Sequence, residues 1–513
     1  MLLDWTLAVA PLLLIVVLMV RFRWGVAKAG PVGWLAAIVI AIWRFGSGAD
    51  LLAVAHVRAL FRALDVLLIV WAAFLLYRVA DEAGAIRTLG TALPHLTADR
   101  GMQALLIAWT FASFLQGVGG FGVPVAVTAP LLVGLGFSPL TAVLAPSVGH
   151  AWSVTFGSLA SSFQALIATT GIHGEILAPP SAVLLALAGL GCGFMVVHIA
   201  DGWRGIRRLA LPVLVLATTM GIVQYALASH GLWNIAGFGG GMAGLAVALL
   251  LSRHYRGPQT PSGNSPGRRL ILRALAPYFA LILFTLLIQF TPPLRGLLGQ
   301  IVLQVPTPAT QTWRGFLTPA DPGTQIVLLR HAGAILSYAS LAAYWINRRA
   351  GAYAPGAARR ILTGTVRGMA SATLGILAMV CLSVVMAQSG MTEVLAGGLA
   401  QAAGALFPLA APWIGALGAF ISGSNTNSNF LFGMLQLRTA ELLGLSAPLV
   451  LAGQTAGAAI GSMVAPTKVI VGVSSAGDGV EEGVVIRKLL VYTGLLLAGL
   501  SLAVWFWLQI LAG

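Results

Sequence analysis

A run of hydroxyl and amide side chains interrupts the apolar C-terminal part of the chain. Six of these residues stand in succession after Gly423, between apolar segments at 412–422 and 430–437. Polar groups are costly at membrane depth unless they pair with each other or line a cavity. Serine and asparagine also favour helix N-termini, where free N–H groups attract anions. The pattern predicts a carboxylate site, with a plain polar loop as the alternative, and its candidate residues are Ser424, Asn425, Thr426, Asn427, Ser428 and Asn429.

A second break in the apolar pattern lies in the N-terminal half, where Gln116 is followed by four glycines and Pro124. Glycine and proline interrupt helices, and glycine lets the backbone approach a ligand or another helix closely. The lysine and hydroxyl residues of a phosphate-binding loop are missing and no strand precedes the segment, which excludes a nucleotide site. We predict that Gln116, Gly117, Gly119 and Gly120 bind substrate; tight packing through small residues is the alternative.

Two ionisable residues, His150 and Lys468, lie inside apolar stretches. An ionisable group at membrane depth indicates a functional role by default. Lys468 could pair with a substrate carboxylate, and His150 could exchange a proton near neutral pH. We add the nearby Ser153 to the predicted substrate contacts. The alternatives are a hydrogen-bonded core histidine and a lysine that extends to the membrane interface.

The remaining acidic residues and the cysteines suggest no chemistry. Asp65 and Glu441 each stand three residues from an arginine, which predicts buried ion pairs on one helix face with Arg62 and Arg438. Cys192 and Cys381 lie in apolar runs and are expected to be small buried side chains. The sequence shows no catalytic triad, paired acid site or metal cluster, so we expect no enzymatic activity, no cofactor and no metal. A membrane enzyme would need acidic ligands in a loop, and the nearest candidates are Asp478, Glu481 and Glu482.

Composition identifies the environment of these residues. The chain has 513 residues, of which 58% are hydrophobic and 8% are charged, and its mean hydropathy is +0.93. Soluble domains carry roughly a quarter charged residues. Apolar runs of roughly 20 residues, each long enough to cross a bilayer, recur from end to end. We therefore predict an all-α polytopic membrane protein with about 12 to 14 transmembrane helices, some of them broken or re-entrant.

The net charge of +15 comes from arginines and lysines in short segments between the apolar runs. This placement is typical of topology signals and of contacts to anionic lipid, and it argues against nucleic-acid binding. The positive-inside rule puts the richest loop, 252–273, in the cytoplasm and the proline-rich segment 292–325 outside. Arg44, Arg58 and Arg62 do not fit this scheme. The first apolar run, 2–20, lacks a cleavage site and is expected to be a retained span.

The pattern of breaks recurs along the chain. Phe114–Gly117 resembles Phe420–Gly423, and Gly136–Pro139 resembles Leu445–Pro448, at offsets of 306 and 309 residues. Many carriers consist of two inverted repeats. We predict two transmembrane halves, 1–252 and 273–513, joined by a flexible cytoplasmic linker at 253–272.

Four segments resemble the L-lactate permease family. The stretches Phe114–Ala126 and Leu131–Leu140 are similar to its first glycine-rich signature, Gly418–Gln436 to its second, and Asp201–Ile206 to a cytoplasmic loop. The resemblance implies a secondary active transporter in the cell inner (plasma) membrane that imports lactate, glycolate or another 2-hydroxymonocarboxylate with protons. It also implies a two-domain fold with re-entrant hairpins.

The chain departs from the family pattern at the positions that matter for charge. Gln116 and Asn425 stand where the family usually has acids, His150 where an amide is expected, and Lys468 where a neutral residue is expected. Our hypothesis is that Lys468 attracts the anion and His150 couples to protons. A carrier for another organic anion without proton coupling, a channel and a transport-dead sensor remain open. The expected partners are a small carboxylate, protons and the lipid bilayer, with a homodimer as one candidate assembly.

Overall fold

The computed structural model describes residues 2–93, 96–120, 122–255, 267–477 and 480–512. His95, Phe121 and Asp478 lie outside these described residues. The same holds for residues 256–266, which form most of the predicted linker. The division into halves 1–252 and 273–513 stays a prediction.

The described chain is built almost entirely from α-helices, as predicted. The helices before the segment at 256–266 are α1 (Leu2–Val20), α2 (Val26–Trp43), α3 (Ala49–Glu82), α4 (Ala85–Ala92), α5 (Arg100–Ala104), α6 (Ala112–Val118), α7 (Val123–Gly134), α8 (Pro139–Gly149), α9 (Ser161–Thr170), α10 (Gly174–Ser229) and α11 (Trp233–Ser252). Those after it are α12 (Arg268–Phe290), α13 (Pro292–Leu297), α14 (Ala332–Arg349), α15 (Ala357–Gln388), α16 (Met391–Ala403), α17 (Phe407–Ser422), α18 (Asn425–Leu442), α19 (Ala447–Gly461), α20 (Pro466–Ala476) and α21 (Glu482–Ala512). A π-helical turn, Leu105–Phe111, joins α5 to α6 in one continuous rod.

Eleven helical segments in the described residues are long and apolar enough to cross a membrane. One of them, the 56-residue α10, contains Gly202 with φ 64° and ψ −160°, a conformation that a helix cannot contain. This glycine divides α10 into two rods, which brings the number of candidate crossings in this part of the chain to twelve. The apolar stretch between Val123 and Thr170 forms no long helix. It consists of the short helices α7, α8 and α9, separated by irregular turns, because glycine, proline and hydroxyl residues interrupt it.

Residues 298–331, which we call the strap, connect α13 to α14 and contain short strands. These are β1 (Val302–Leu303), β2 (Thr310–Gln311), β3 (Leu317–Thr318) and β4 (Ile326–Val327). β1 pairs with β4 and β2 with β3, both antiparallel, with Val302 opposite Val327 and Thr310 opposite Thr318. The strap contains the proline-rich segment that the sequence predicts on the outer face.

The strap explains one of the three arginines that do not fit the charge pattern. Arg58 on α3 is buried, and its Nε donates to Thr307 Oγ1 at 2.6 Å. Its Nη2 donates to the carbonyl oxygens of Pro308 and Pro319, at 3.0 Å each. Because these bonds lead to the strap, Arg58 marks an attachment point and not a cytoplasmic loop.

Arg44 and Arg62 have acidic partners on the same side. Arg44 Nε lies 2.7 Å from Asp4 Oδ1, and Arg62 Nη2 lies 3.5 Å from Asp321 Oδ2 in the strap. The predicted pair between Arg62 and Asp65 is therefore wrong, because the strap supplies Arg62 with a partner that helical spacing cannot reveal.

The second predicted pair, between Arg438 and Glu441, is present but exposed. Arg438 Nη1 lies 2.7 Å from Glu441 Oε2, as the three-residue spacing predicts. Both side chains are 46% exposed, so the pair is not a buried one. Cys192 is buried as expected, whereas Cys381 is half-buried.

The helices pack in two groups. In the first, α2, α3, α14 and α15 lie side by side, with α1 against α2 and α12 against α14. The second contains α5 to α11 and α17 to α21, around one large apolar cluster. Glycines allow close approach within it: a Cβ atom added at Gly415 of α17 would lie 3.0 Å from the backbone nitrogen of Ala458 in α19. Such contacts are typical of helix association in membranes, where small residues let backbones meet.

Two segments of the second group share one order of elements. Helices α6 and α7 are separated by a glycine break, and α17 and α18 by the break at Gly423 and Ser424. Each pair is followed by a straight helix, α8 or α19, then by an irregular turn and a short helix, α9 or α20. Helix α7 packs against α20, and α18 against α9. This reciprocal packing is what a duplicated unit would produce, and the pair of inverted repeats stays a prediction.

Candidate functional site

The polar run at the start of α18 meets a hydroxyl-rich turn from the other repeat. Thr155 lies in the irregular segment between α8 and α9, and its Oγ1 donates to the carbonyl oxygen of Thr455 in α19 at 3.1 Å. Asn425 Nδ2 donates to Thr155 Oγ1 at 3.0 Å and to the Thr455 carbonyl at 3.3 Å. All three side chains are at most 2% exposed. The fold thus brings Thr155 together with Thr455, which is 300 positions away in the chain, and with Asn425, which is 270 positions away.

Asn429 extends this cluster by one helical turn. Residues four apart share one face of a helix, so Asn429 lies beside Asn425. Its Nδ2 donates to the Ser162 carbonyl at 2.8 Å and to Thr455 Oγ1 at 2.9 Å. Ser162 Oγ lies 3.0 Å from Thr426 Oγ1. We call Thr155, Asn425, Asn429 and Thr455 the amide cluster.

Several amide oxygens at this site are buried without a protein partner. They are Oδ1 of Asn425, Asn427 and Asn429. The orientation of Asn425 and Asn429 is fixed, because their Nδ2 groups donate to backbone carbonyls, which can only accept. A buried polar atom without a partner costs about 1–3 kcal/mol. The three oxygens are therefore suited to accept hydrogen bonds from a ligand, such as a substrate hydroxyl group.

The start of α18 supplies hydrogen-bond donors, which complement these acceptor oxygens. Ser424 is the N-cap, and its Oγ accepts from the Asn427 backbone N–H at 3.4 Å. The other free N–H groups of the first turn carry the partial positive charge of a helix N-terminus, which attracts carboxylates. Ser428, by contrast, faces α17: its Oγ donates to the Gly415 carbonyl at 2.7 Å. The geometry gives Ser428 a bracing role.

The glycine break contributes one polar side chain. Gln116 is 3% exposed, and its Oε1 has no protein partner. It lies against the turn that carries Thr155, because a Cβ added at Gly157 would be 2.8 Å from Gln116 Nε2. Gly120, with φ 57°, adopts the left-handed conformation that favours glycine and lies beside Ser158.

Gly117 and Gly119 have packing contacts. A Cβ added at Gly117 would lie 2.5 Å from Phe238 Cα in α11, and one at Gly119 would lie 3.3 Å from Tyr77 Cδ2. These contacts match the alternative of tight packing through small residues.

His150 and Lys468 lie at the irregular turns that follow α8 and α19, His150 at the start of one turn and Lys468 just after the other. His150 is 1% exposed, at the end of α8. Its Nδ1 donates to the Pro146 carbonyl at 2.6 Å, which leaves Nε2 as an acceptor that is buried without a partner. Ser153 Oγ donates to the His150 carbonyl at 2.9 Å, so it stabilises this turn.

Lys468 lies in the first turn of α20 and is half-buried. Its Nζ donates to Ser462 Oγ at 2.8 Å. The ammonium group is close enough to interact electrostatically with His150. The neighbouring Thr467 contacts the break between α17 and α18, since a Cβ added at Gly423 would lie 2.6 Å from Thr467 Oγ1. The two ionisable residues predicted from the sequence thus lie within electrostatic range of each other, and Lys468 follows a residue that contacts the break at Gly423.

Sequence reasoning missed the partners from other elements. Thr155 and Ser162 lie in a hydroxyl-rich stretch whose composition was a usable signal, whereas Thr455 has no local signal. His331 has no distinctive spacing in the sequence, yet its Nε2 lies 2.9 Å from Asp65 Oδ1. Gln164 also binds Asp65. Among the residues that the structure describes, no group of three or more His, Cys, Asp or Glu could hold a metal ion.

Two cavities lie beside the strap. The larger, of about 580 Å³, is bounded by α3, α9, the start of α10 and the strap, and the smaller, of about 230 Å³, lies toward α16 and α18. Arg62 and Asp321 line both. Neither lining includes Asn425 or Asn429. The amide cluster is thus separated from both cavities in this conformation, so a ligand needs a conformational change to reach it.

Comparison with known proteins adds an independent line of argument. Residues 4–511 match the family model described as L-lactate permease. The glycolate permease GlcA of Escherichia coli K12 is 27% identical, over 92% of this chain and 89% of that protein. A putative L-lactate permease of Haemophilus influenzae is 25% identical, over 95% and 96%, and the L-lactate permease of Escherichia coli K12 is 26% identical, over 80% and 78%.

Among solved structures, the YdaH transporter of Alcanivorax borkumensis aligns with a TM-score of 0.48 and 16% identity, over 88% of this chain and 86% of that one.

Proposed function

Because the chain belongs to the L-lactate permease family, and is therefore a multi-pass membrane transporter, we propose that it carries L-lactate, glycolate or a related 2-hydroxymonocarboxylate with protons across the cell inner membrane. The family match over residues 4–511 and relatives described as lactate and glycolate permeases support the substrate class. The coupling to protons and the binding residues rest on the chemistry of the site.

The observation that carries the proposal is the amide cluster with its unpartnered oxygens. A 2-hydroxymonocarboxylate has an anionic carboxylate, which needs donors, and a hydroxyl group, which needs an acceptor. The free N–H groups at the start of α18 are donors, and Oδ1 of Asn425, Asn427 and Asn429 are acceptors. Asn425 lies in the first turn with the free N–H groups, and Asn429 follows on the same face about one turn later, a spacing that suits a ligand of this size.

Lys468 and His150 supply the electrostatic part of the proposed mechanism. An ammonium beside an imidazole opposes a second positive charge there, since like charges repel strongly at low dielectric. A carboxylate that binds next to Lys468 offsets this repulsion and favours a proton on His150 Nε2, which has no protein partner. Anion and proton then bind together, which is the requirement for symport. The remaining substrate contacts in this proposal are Gln116, Gly120, Ser424 and Thr426.

The test is uptake of labelled L-lactate into proteoliposomes that contain the purified protein. Uptake is measured with an inward proton gradient, without a gradient, and with a gradient plus a protonophore. The proposal expects accumulation above equilibrium only in the first condition. Competition by unlabelled glycolate and by acetate, which lacks the hydroxyl group, tests whether the amide oxygens bind that hydroxyl group.

Two results would change the proposal. Lactate uptake that ignores the proton gradient would leave a carboxylate carrier without proton coupling. Absence of uptake by folded protein would exclude lactate, and thermal stabilisation by other carboxylates would then identify the substrate. Equal competition by acetate and glycolate would contradict the role of the amide oxygens.

A further inference from the structure

The carboxylate of Asp65 is buried where three elements meet, α3, α14 and α9. Asp65 lies within a candidate membrane span, and its side chain is 4% exposed. Its Oδ1 lies 2.9 Å from Nε2 of His331, the N-cap residue of α14. Its Oδ2 accepts from Nε2 of Gln164 on α9 at 2.7 Å. A carboxylate at membrane depth is expensive and indicates a function.

The two partners of Asp65 act as neutral donors. His331 Nδ1 accepts the Gly333 backbone N–H at 3.2 Å, so the proton of a neutral imidazole is on Nε2, which donates to Asp65. A second proton on Nδ1 would face the N–H of Gly333 and break this cap. Gln164 is neutral under all conditions. In the described part of the chain, Asp65 therefore pairs with no arginine or lysine.

The charged groups around Asp65 are engaged elsewhere or have the same sign. Arg62 precedes it by one helical turn but pairs with Asp321 of the strap. Arg58 donates to the strap. The other ionisable residues of the larger cavity are His173 and Glu175; both are exposed, and Glu175 has the same sign of charge as Asp65.

The larger cavity gives Asp65 a route to protons. Asp65 and Gln164 both line this space of about 580 Å³ beside the strap. A cavity of that size with polar walls has room for water, which can deliver a proton to the carboxylate.

Helix α9 connects Asp65 to the amide cluster. Gln164 and Ser162 stand two residues apart on α9, and the Ser162 carbonyl accepts from Asn429 Nδ2 at 2.8 Å. Ser162 Oγ also meets Thr426. When Asp65 binds a proton, one of its oxygens becomes a hydroxyl, a poorer acceptor, and its bonds to Gln164 and His331 cannot both keep their strength. The charge on Asp65 therefore affects how firmly α3 holds the helix that supports the substrate cluster.

We propose that Asp65 is a second proton-binding residue of the transport cycle besides His150, which takes a proton from the cavity beside the strap and communicates with Asn429 through α9. This inference rests on the proposed function. It gives the chain a titratable carboxylate at membrane depth, which Gln116 and Asn425 do not provide. The step is the reversible addition of one proton to a carboxylate, with no other bond made or broken.

The experiment separates proton coupling from substrate handling. Wild-type protein and the variants Asp65→Asn and Glu175→Gln are reconstituted in proteoliposomes. One assay measures lactate accumulation driven by an inward gradient of about one pH unit, a tenfold difference in proton activity. The other measures exchange of labelled for unlabelled lactate at equal pH, which needs no net proton movement. We expect Asp65→Asn to lose accumulation and keep exchange, whereas Glu175→Gln, an acid of the same cavity, keeps both.

Each other outcome has a defined meaning. Gradient-driven accumulation by Asp65→Asn at the wild-type level would overturn the inference and leave the proposed function intact. Failure of the wild-type protein in both assays would instead contradict the proposed function. If Asp65→Asn loses both activities, Asp65→Glu decides: recovery of accumulation supports the proton role, and a folded but inactive variant overturns it in favour of a structural role.

Discussion

The two helix breaks of the repeated unit occupy equivalent places and are made of different residues. The break between α6 and α7 consists of glycines, of which Gly117 and Gly119 contact Phe238 and Tyr77. The break between α17 and α18 leads into hydroxyl and amide side chains, all buried after Ser424. The first break therefore mainly allows close packing, and the second mainly presents polar groups. The two breaks thus have the same place in the order of helices and differ in the side chains that they present.

In the irregular turns after α8 and α19, it is the first turn that is rich in polar side chains. The turn at 150–160 is long and contains His150, Ser153, Thr155 and Ser158, whereas the turn at 462–465 is short and precedes Lys468. The polar break between α17 and α18 thus contacts the polar turn at 150–160, which follows α8. The site depends on both copies, and predictions can test each copy separately.

The largest effect is expected in the polar break, for Asn425→Ala. This change removes the amide that donates to Thr155 Oγ1 and to the Thr455 carbonyl, and it leaves buried groups unpaired. We expect uptake to fall by about 100-fold or more, since the variant loses the Oδ1 acceptor proposed for the substrate as well as the bonds that position Thr155 and Thr455, and hydrogen-bond losses of this kind are worth about 1–3 kcal/mol each. The measurement is initial uptake in proteoliposomes, normalised to folded protein. Asn234→Ala, an amide outside the cluster, is the matched control, and normal uptake by Asn425→Ala would contradict the assignment.

A smaller effect is expected for Lys468→Met, in the first turn of α20. If the ammonium attracts the substrate carboxylate, its loss should raise the apparent KM for lactate by about tenfold, which corresponds to 1.4 kcal/mol. Lys468→Arg keeps the charge and should recover most of the affinity. Lys28→Met in α2 is the control for charge removal elsewhere. An unchanged KM combined with lower yield of folded protein would assign Lys468 to folding.

Gly117→Ala tests the glycine break, where the expected effect is on stability. The added methyl group would meet the backbone of Phe238 in α11, and a backbone cannot rotate away as a side chain can. Overpacking of this kind costs about 1–3 kcal/mol. The thermal unfolding temperature in detergent should fall, while uptake per folded molecule stays near the wild-type value. Gly134→Ala, with open space around the added atom, should leave the unfolding temperature unchanged. A stable Gly117→Ala variant without uptake would instead place Gly117 in the binding site.

Features that depend on neighbouring residues were predictable, and long-range partners were not. Composition and apolar runs predict the helical membrane fold, and the polar run at 424–429 predicts a helix N-terminus. Thr455 could not be found, because Thr155 and Asn425 reach it only in the folded chain. Helical spacing paired Asp65 with Arg62, and the fold replaced that local pair with His331, 266 positions away. The charge of a buried acid is decided by such contacts, which one sequence does not contain.

The smallest effect is expected at Gln116, the residue of the glycine break that, like the asparagines of the other break, has an amide side chain. It is the polar side chain of the glycine break with a buried, unpartnered oxygen. In Gln116→Glu, the protonated acid keeps the shape of the amide, whereas the anion would be buried with no cationic partner among the described contacts of this position. Because burial opposes the charged form, the introduced acid should stay protonated at about pH 5.5, with uptake near the wild-type rate, and ionise toward about pH 8, where uptake should fall several-fold. The measurement is the pH profile of lactate exchange, with Gln103→Glu as a control for a buried glutamine on the same rod, outside the site. A profile identical to wild type would show that the glycine break only packs helices. The polar groups that bind substrate would then come from the break between α17 and α18 and not from the glycine break.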